Sequence, residues 1–408
     1  MGPLSVADKL EILADAAKYD ASCASSGGDK RDSRRGGGIG SSTGNGICHS
    51  YTPDGRCVSL LKILLTNACT FDCSYCINRR TSNVRRARFT VQEVVDLTLE
   101  FYKRNYIEGL FLSSGIIRSP DYTMECLVRV ARTLRMDHAF RGYIHLKTIP
   151  EASGDLVREA GLYADRLSIN IEMPTPESLQ RFAPEKRADS ICGTMHDLDE
   201  RIAGARADRR APRFAPAGQS TQLIVGADAS NDSVVLATAS GLYNKYNLKR
   251  IYYSAFSPIP QASALLPARP APLLRENRLY QADWLLRYYG FTATEVMAGT
   301  VDGMLDPEID PKLAWALRNR DRFPVDVNTA DRDVLLRIPG LGVRSADRLL
   351  SARRYCRLRL DDLRRLTNSF RKMLPFVVTV DHHPGPLLDR SGLRHLLVAQ
   401  AQQLDLFG

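Results

Sequence analysis

An α/β fold with parallel strands, followed by a small all-α domain, is what the sequence predicts, and two observations predict it. From Ser59 onward, apolar extended segments alternate with helical patterns in repeated strand–helix order. Beyond Asp310 the alternation stops and a basic, glycine-punctuated pair of helical patterns takes its place. The length of 408 residues is ample for about two or three domains with buried cores and excludes a small stapled scaffold. Apolar residues at 44% and charged residues at 25% match ordinary soluble composition. No apolar run approaches the roughly 18 residues of a membrane span. The opening MGPLSVADKLEILADAAKYD breaks its apolar stretches with acids, so no secretory signal is read and a cytoplasmic location is expected.

The elements follow in order. Residues 1–50 are a leader, in which 24–47 combine Gly, Ser and charge with almost nothing to bury and are expected to be flexible. Over 51–310, SLLKILLTN (59–67), IEGLFLSSG (107–115), YIHLKTI (143–149), RLSINIEM (166–173), STQLIVGA (220–227) and KRIYYSAF (249–256) read as six strands. Helical patterns separate most of them, while about Ala183 to Gly218 reads as an irregular polar insertion. This order suits a parallel barrel or a doubly wound sheet. Prolines 258, 260, 267, 270 and 272 break the pattern, and LLRENRLYQADWLLRYYG is a long amphipathic helix closing the domain. A helical unit is expected at 311–375 and a tail at 376–408.

Lys and Arg outnumber Asp and Glu by 56 to 46, a formal charge of +10. From Lys312 to Lys372, 16 Lys and Arg face 7 Asp, so most of the excess belongs to one segment and an anionic partner is expected there.

Nine cysteines, six of them within the first 76 residues, point to metal or redox chemistry in a cytosolic protein. Cys69-Thr-Phe-Asp-Cys73-Ser-Tyr-Cys76 stands at the end of the first strand, where loops of a parallel sheet converge on ligands. Structural zinc takes four protein ligands, and this triplet lacks an adjacent fourth. Three thiolates suit a [4Fe–4S] cluster with one open iron. Cys23, Cys48 and Cys57, with His49, leave three readings open: a second cluster or metal, a hydrogen-atom donor, or inert buried thiols.

The C-x3-C-x2-C spacing, with aromatic Tyr75 before the third cysteine, resembles the signature of the radical S-adenosylmethionine (radical SAM) superfamily. The resemblance implies a partial (β/α)6 barrel, a [4Fe–4S] cluster on Cys69, Cys73 and Cys76, and S-adenosylmethionine cleaved to a 5′-deoxyadenosyl radical. It also implies cofactor contacts at Tyr75 and at strand ends. Ser113-Ser114-Gly115 occupies the place of the superfamily's Gly-Gly-Glu element, of which only the glycine is kept. Glu172 is placed to reach the ribose, and Gly226 resembles the fifth-strand glycine that lets backbone approach adenine.

Residues VNTADRDVLLRIPGLGVRSADRLLSARR, from Val327, read as helix, glycine hairpin, helix, with Val334, Leu335 and Ile338 on one apolar stripe and Ala346, Leu349 and Leu350 continuing it. The segment resembles the helix-hairpin-helix module of DNA repair proteins. In that reading Gly340 and Gly342 let backbone N–H groups approach phosphates, and Arg344, Arg348, Arg353 and Arg354 add nonspecific attraction. A helical hairpin used only for protein contact is the alternative. The final Gln403-Leu404-Asp405-Leu406-Phe407-Gly408 resembles the peptide that docks on the bacterial β sliding clamp, through Gln403, Leu404, Leu406 and Phe407; an ordinary helix end is the alternative.

Nearly the full chain, including KYDASC near the start, GICHSYTPDGRCVSLLKILLTNACTFDCSYCINRR and VDVNTADRDVLLRIPGLG, resembles a family described as radical SAM proteins of DNA modification or repair. That resemblance implies duplex or lesion-containing DNA as partner, a uracil-DNA-glycosylase-like protein as a second partner, and an electron donor. Two other readings stay open: an RNA-modifying radical SAM enzyme acting on transfer RNA, and a non-catalytic Fe–S DNA-binding protein or redox sensor.

Overall fold

The computed structural model describes residues 4–17, 47–51, 57–208, 210–260, 263–367 and 369–398, with backbone alone at 49–51 and 57. Cys23, most of the leader and the terminal Gln403, Leu404, Leu406 and Phe407 lie outside the described residues. The chain divides into two compact units, Met1–Ala229 with Gly241–Ala271, and Ser230–Ser240 with Pro272–Gly408.

In the first unit α1 (Val6–Ala17) and β1 (Ile47–Tyr51) precede β2 (Cys57–Leu64). The chain then runs through α2 (Val91–Lys103), β3 (Gly109–Ser113), α3 (Pro120–Met136), β4 (Tyr143–Lys147), α4 (Gly154–Tyr163), β5 (Arg166–Ser168), α5 (Pro176–Phe182), α6 (Ala188–Ala207), β6 (Gln219–Val225), α7 (Asp232–Tyr246) and β7 (Arg250–Ala255). Residues 232–240 of α7 group with the second unit. The seven strands form one sheet in chain order. β2 to β7 are parallel, so the six expected strands are all present, and β1 pairs antiparallel with β2 at the edge.

Alternation along each strand explains the layering. Leu61, Ile63, Leu110, Leu112, Ile144, Leu146 and Leu167 point to one face and pack in the core with Val94, Val95, Leu127, Leu134 and Ala160 of the flanking helices. The opposite face is polar: register places Lys62, Phe111, His145 and Arg166 in one row. There Phe111 and His145 stack at 4.2 Å, and His145 Nε2 lies 2.9 Å from Ser168 Oγ. The helices begin on local caps. Thr90 Oγ1 accepts the Glu93 N–H while Glu93 Oε2 accepts the Thr90 N–H, closing a capping box at α2, and Ser119 with Pro120 starts α3.

Three expectations are corrected. The stretch from Ala183 to Gly218 is not irregular, because α6 fills 188–207 with Ile191, Met195, Leu198 and Ile202 buried along one stripe. The leader does not run unstructured through residue 47, since β1 begins there. The segment RLSINIEM is a strand only at Arg166–Ser168, and the chain rejoins the sheet as a single parallel bridge between Glu172 and Leu223.

The second unit holds α8 (Leu273–Tyr288), α9 (Ala293–Met297), α10 (Pro311–Arg318), β8 (Val325–Asp326), α11 (Arg332–Leu335), α12 (Val343–Ala352), α13 (Leu360–Leu366), α14 (Phe370–Met373) and β9 (Val377–Val378). Its core includes Trp315, Phe323 and Phe376 in edge-to-face contact. Leu335, Ile338, Ala346 and Leu349 are buried as the stripe requires, but Val334 is exposed: α11 is a single turn, and Val334 falls on its outer side.

Candidate active site

The cysteine loop leaves β2 at the C-terminal edge of the sheet. Its first residues are tied to the next strand: Leu65 N–H donates to Ser113 O at 2.8 Å and Thr70 N–H to Ile116 O at 2.7 Å. Gly115 makes this contact sterically allowed. A Cβ there would stand 2.3 Å from Ala68 O, a backbone atom that cannot yield cheaply, and the Gly115 N–H donates to Thr66 O at 2.7 Å. The glycine therefore braces the loop directly before Cys69.

Sequence reasoning missed the residue that closes the loop. The Arg86 guanidinium donates to Asn78 O (2.9 Å), Arg79 O (2.7 Å), Ser82 O (2.8 Å) and also Asn67 O. One planar fork thus ties the residue two places before Cys69 to the three carbonyls that follow Cys76.

The three thiols share one electrostatic locus. Burial pushes the Cys73 thiol up to about 12; the charges of Cys76, Glu172 and Cys69 add to the rise and Lys186 opposes it. Burial also pushes Cys76 up to about 11, against the Asn78 N–H and Lys186, with Cys69 and Glu172 raising it. Cys69 Sγ accepts the Ile116 N–H at 3.4 Å. Among the described residues no three His, Cys, Asp or Glu side chains converge closely enough to hold a metal ion. The donor set nonetheless fits a cluster: three thiols on one loop repel one another's ionised forms, so a cation among them favours all three thiolates together, and N–H donors stand at two of the sulfurs.

A buried ion pair lies beside them. Lys186 Nζ donates to Glu172 Oε1 at 2.6 Å and to the Tyr75 hydroxyl at 3.3 Å. Burial pulls the Lys186 ammonium down, but Glu172 and then Cys73 outweigh it and hold the group charged. The Tyr75 phenol is pushed well up, first by burial and then by the Glu172 charge. Glu172 sits at φ +65°, costly for a residue with a Cβ, and is fixed by its N–H to Gln222 O (3.0 Å) and by its carbonyl, which accepts the Ile224 N–H (2.7 Å). Lys186, two residues before α6, was not singled out from sequence.

The remaining expected cofactor residues fall around the same edge. Ser113 ends β3, with its buried Oγ lacking a hydrogen-bond partner among the described residues, and Ser114 Oγ donates to Gly115 O. Gly226 follows β6 at φ +81°. Cys48 is buried on β1, and Cys57 opens β2. The expected nucleic-acid residues stand in the second unit. Gly340 has φ +81°, where a Cβ would lie 2.8 Å from Ser369 O, and Gly342 is the N-cap of α12. Arg344 and Arg348 are exposed on the first turns of α12. Arg353 instead donates to Val327 O and Ala330 O and is part of the fold. No helix among the described residues is long and apolar enough to cross a membrane.

Residues 63–239 match the sequence model of the radical SAM superfamily. Similar solved structures include the FeFe-hydrogenase maturase HydG from Carboxydothermus hydrogenoformans (17% identity, TM-score 0.42, 55% of this chain and 49% of that one) and methylornithine synthase PylB (13%, TM-score 0.43, 55% and 61%). SuiB from Streptococcus suis is a third (9%, TM-score 0.41, 59% and 51%). The chain thus spans about half to three fifths of the length of these structures. No curated protein matches it. With the cysteine triplet at the end of the first parallel strand, the match assigns a radical SAM domain to residues 63–239 of the chain.

Proposed function

We propose that this protein is a radical SAM enzyme acting on DNA, at a base or a sugar. The cofactor pair typical of the superfamily, a [4Fe–4S] cluster and S-adenosylmethionine, supplies reductive cleavage of the sulfonium and hydrogen-atom abstraction through a 5′-deoxyadenosyl radical. In this reading Cys69, Cys73 and Cys76 hold the cluster and Arg86 keeps their loop closed. Glu172, oriented by its hydrogen bond from Lys186, accepts hydrogen bonds from the ribose hydroxyls. Ser113, Ser114 and Gly115 line the aminoacyl end, Gly226 lets the base approach backbone, and Tyr75 packs beside the third cysteine.

The single observation that supports DNA is the Gly340–Gly342 turn ahead of α12. Gly342 carries no side chain where backbone would meet phosphate, and Arg344 and Arg348 are exposed on the first turns of α12. The turn lies in the segment that holds 16 Lys and Arg against 7 Asp. A helix-hairpin-helix module of this kind positions a duplex without reading its sequence. The β sliding clamp, the glycosylase-like protein and an electron donor complete the proposed partners.

The test is formation of 5′-deoxyadenosine by the anaerobically reconstituted, dithionite-reduced protein, with DNA, with transfer RNA or with no polymer. Stimulation by DNA alone supports the reading. Stimulation by RNA alone moves the substrate to the other polymer, and no product under any condition removes the enzymatic role.

A further inference from the structure

Within the second unit, α8, the start of α10 and the Gly340–Leu341–Gly342 turn enclose a cavity of about 410 Å³. That lies within the roughly 300–1,000 Å³ of small-molecule sites. Its walls combine Tyr280, Trp284 and Tyr289 with Lys312 and Lys372. Trp284 is 46% exposed and stands 5.3 Å from Tyr288, which leaves an indole face available. Lys312 is the opposite case. It is 7% exposed, its Nζ donates to Leu341 O at 2.6 Å and lies 4.6 Å from the Tyr289 ring centroid.

The charges do not cancel. Lys372 Nζ pairs with Asp310 Oδ2 at 2.9 Å, and the Asp310 charge also bears on the Lys312 ammonium, which bonds a carbonyl and faces a ring, so two ammonium groups share one carboxylate. Arg337, which also bears on Lys312, is already paired with Glu295. Burial pulls the Lys312 ammonium down to about 7 against the opposing charge of Asp310. At the turn, the Val343 N–H bonds the Tyr289 hydroxyl. Two lysines sharing one carboxylate, aromatic walls and a turn whose glycines flank the buried Leu341 together match one phosphodiester and one base.

We propose that this cavity takes up a single unstacked nucleotide of a DNA strand, its base against Trp284 and its phosphate beside Lys312. The proposal rests on the reading that the second unit binds DNA and deepens it: the hairpin would hold duplex while the cavity holds the nucleotide that has left the stack. Stacking on an aromatic side chain is sequence-tolerant, so no base preference is expected.

The full-length protein supplies its own reporter, because its two tryptophans are Trp284 and the fully buried Trp315. Four probes are titrated: a single-stranded oligonucleotide, a fully paired duplex, the same duplex with one unpaired nucleotide, and free thymidine monophosphate. The expected result is quenching of Trp284 emission by the strands that offer an unpaired nucleotide. Trp284→Ala should weaken those strands roughly tenfold while paired duplex changes less than about twofold, and Trp284→Tyr should recover most of the loss. Arg344→Ala with Arg348→Ala should weaken every polymer. Binding of all polymers without quenching, and unchanged in Trp284→Ala, overturns the cavity while the DNA reading stands. Absence of DNA binding by the wild-type protein overturns that reading first. Quenching by the free mononucleotide as strong as by the strand overturns the strand as the source.

Discussion

Arg86 is the residue on which the cysteine loop closes, and replacing it gives the sharpest test of the site. Its guanidinium satisfies carbonyls at Asn67, Asn78, Arg79 and Ser82, on both sides of the triplet. A hydrogen bond to a charged group contributes about 1.5–3 kcal/mol, so four bonds sum nominally to about 6–12 kcal/mol. A loop cannot lose that much, because it opens first, and opening caps the penalty at the local unfolding free energy. Arg86→Met is therefore expected to leave the sheet folded, with a nearly unchanged circular-dichroism melt. Trypsin should then cleave residues 79–88 faster in the cluster-free protein, and iron and labile sulfide per chain should fall after anaerobic reconstitution. Arg86→Lys offers three donors from a point instead of a fork and should fall between. Wild-type iron content together with wild-type cleavage in Arg86→Met would refute the tether.

Three further outcomes follow from the same structure. Gly115→Ala places a Cβ 2.3 Å from Ala68 O; overpacking of this kind costs about 1–3 kcal/mol, and the loss should appear as reduced iron content with secondary structure retained. Lys186→Met strands the buried Glu172 carboxylate, and breaking a buried pair from one side costs about 3–5 kcal/mol; in urea unfolding, adding Glu172→Gln should recover part of that loss, and a strictly additive double variant would deny the pairing. Burial holds the Lys312 ammonium at about 7 in the folded protein against an ordinary 10.5, so the unfolded chain binds more protons between these values and stability should rise with pH across that window, by up to about 5 kcal/mol. Tryptophan-detected unfolding of Lys312→Met should be flatter over the same range and more stable than wild type at pH 6.

The parallel sheet was legible in the sequence because apolar extended segments, such as SLLKILL at β2 and GLFLS at β3, alternate with helical patterns between turn signals. β1 has no such run: Ile47-Cys48-His49-Ser50-Tyr51 pairs on one side only and follows a Gly/Ser stretch that masks it. α6 is a different failure. Ile191, Met195, Leu198 and Ile202 keep helical spacing, but polar or charged residues stand in every gap and Arg187 at the N-cap makes no side-chain capping hydrogen bond to announce the start. The apolar stripe was present and was outweighed by composition.

The site shows where a one-dimensional reading stops. Spacing on a single loop is local information, so the three cysteines and Tyr75 could be singled out from the motif alone. Glu172 and Gly226 were named from the family resemblance, and the structure places both at the same sheet edge. Arg86 and Lys186 act through pairings that no spacing encodes. Arg86 is one of five arginines between Arg79 and Arg88, a run that reads as a solvated basic surface, and only its four carbonyl contacts separate it from Arg85. Lys186 becomes meaningful only when the chain rejoins the sheet at Glu172, which brings an acid and an ammonium together out of water. A buried cation survives only if the fold supplies its partners. The residues that hold the cysteine loop and Glu172 in place are therefore specified by tertiary structure, and each is exposed to test by a substitution that leaves the cysteine motif intact.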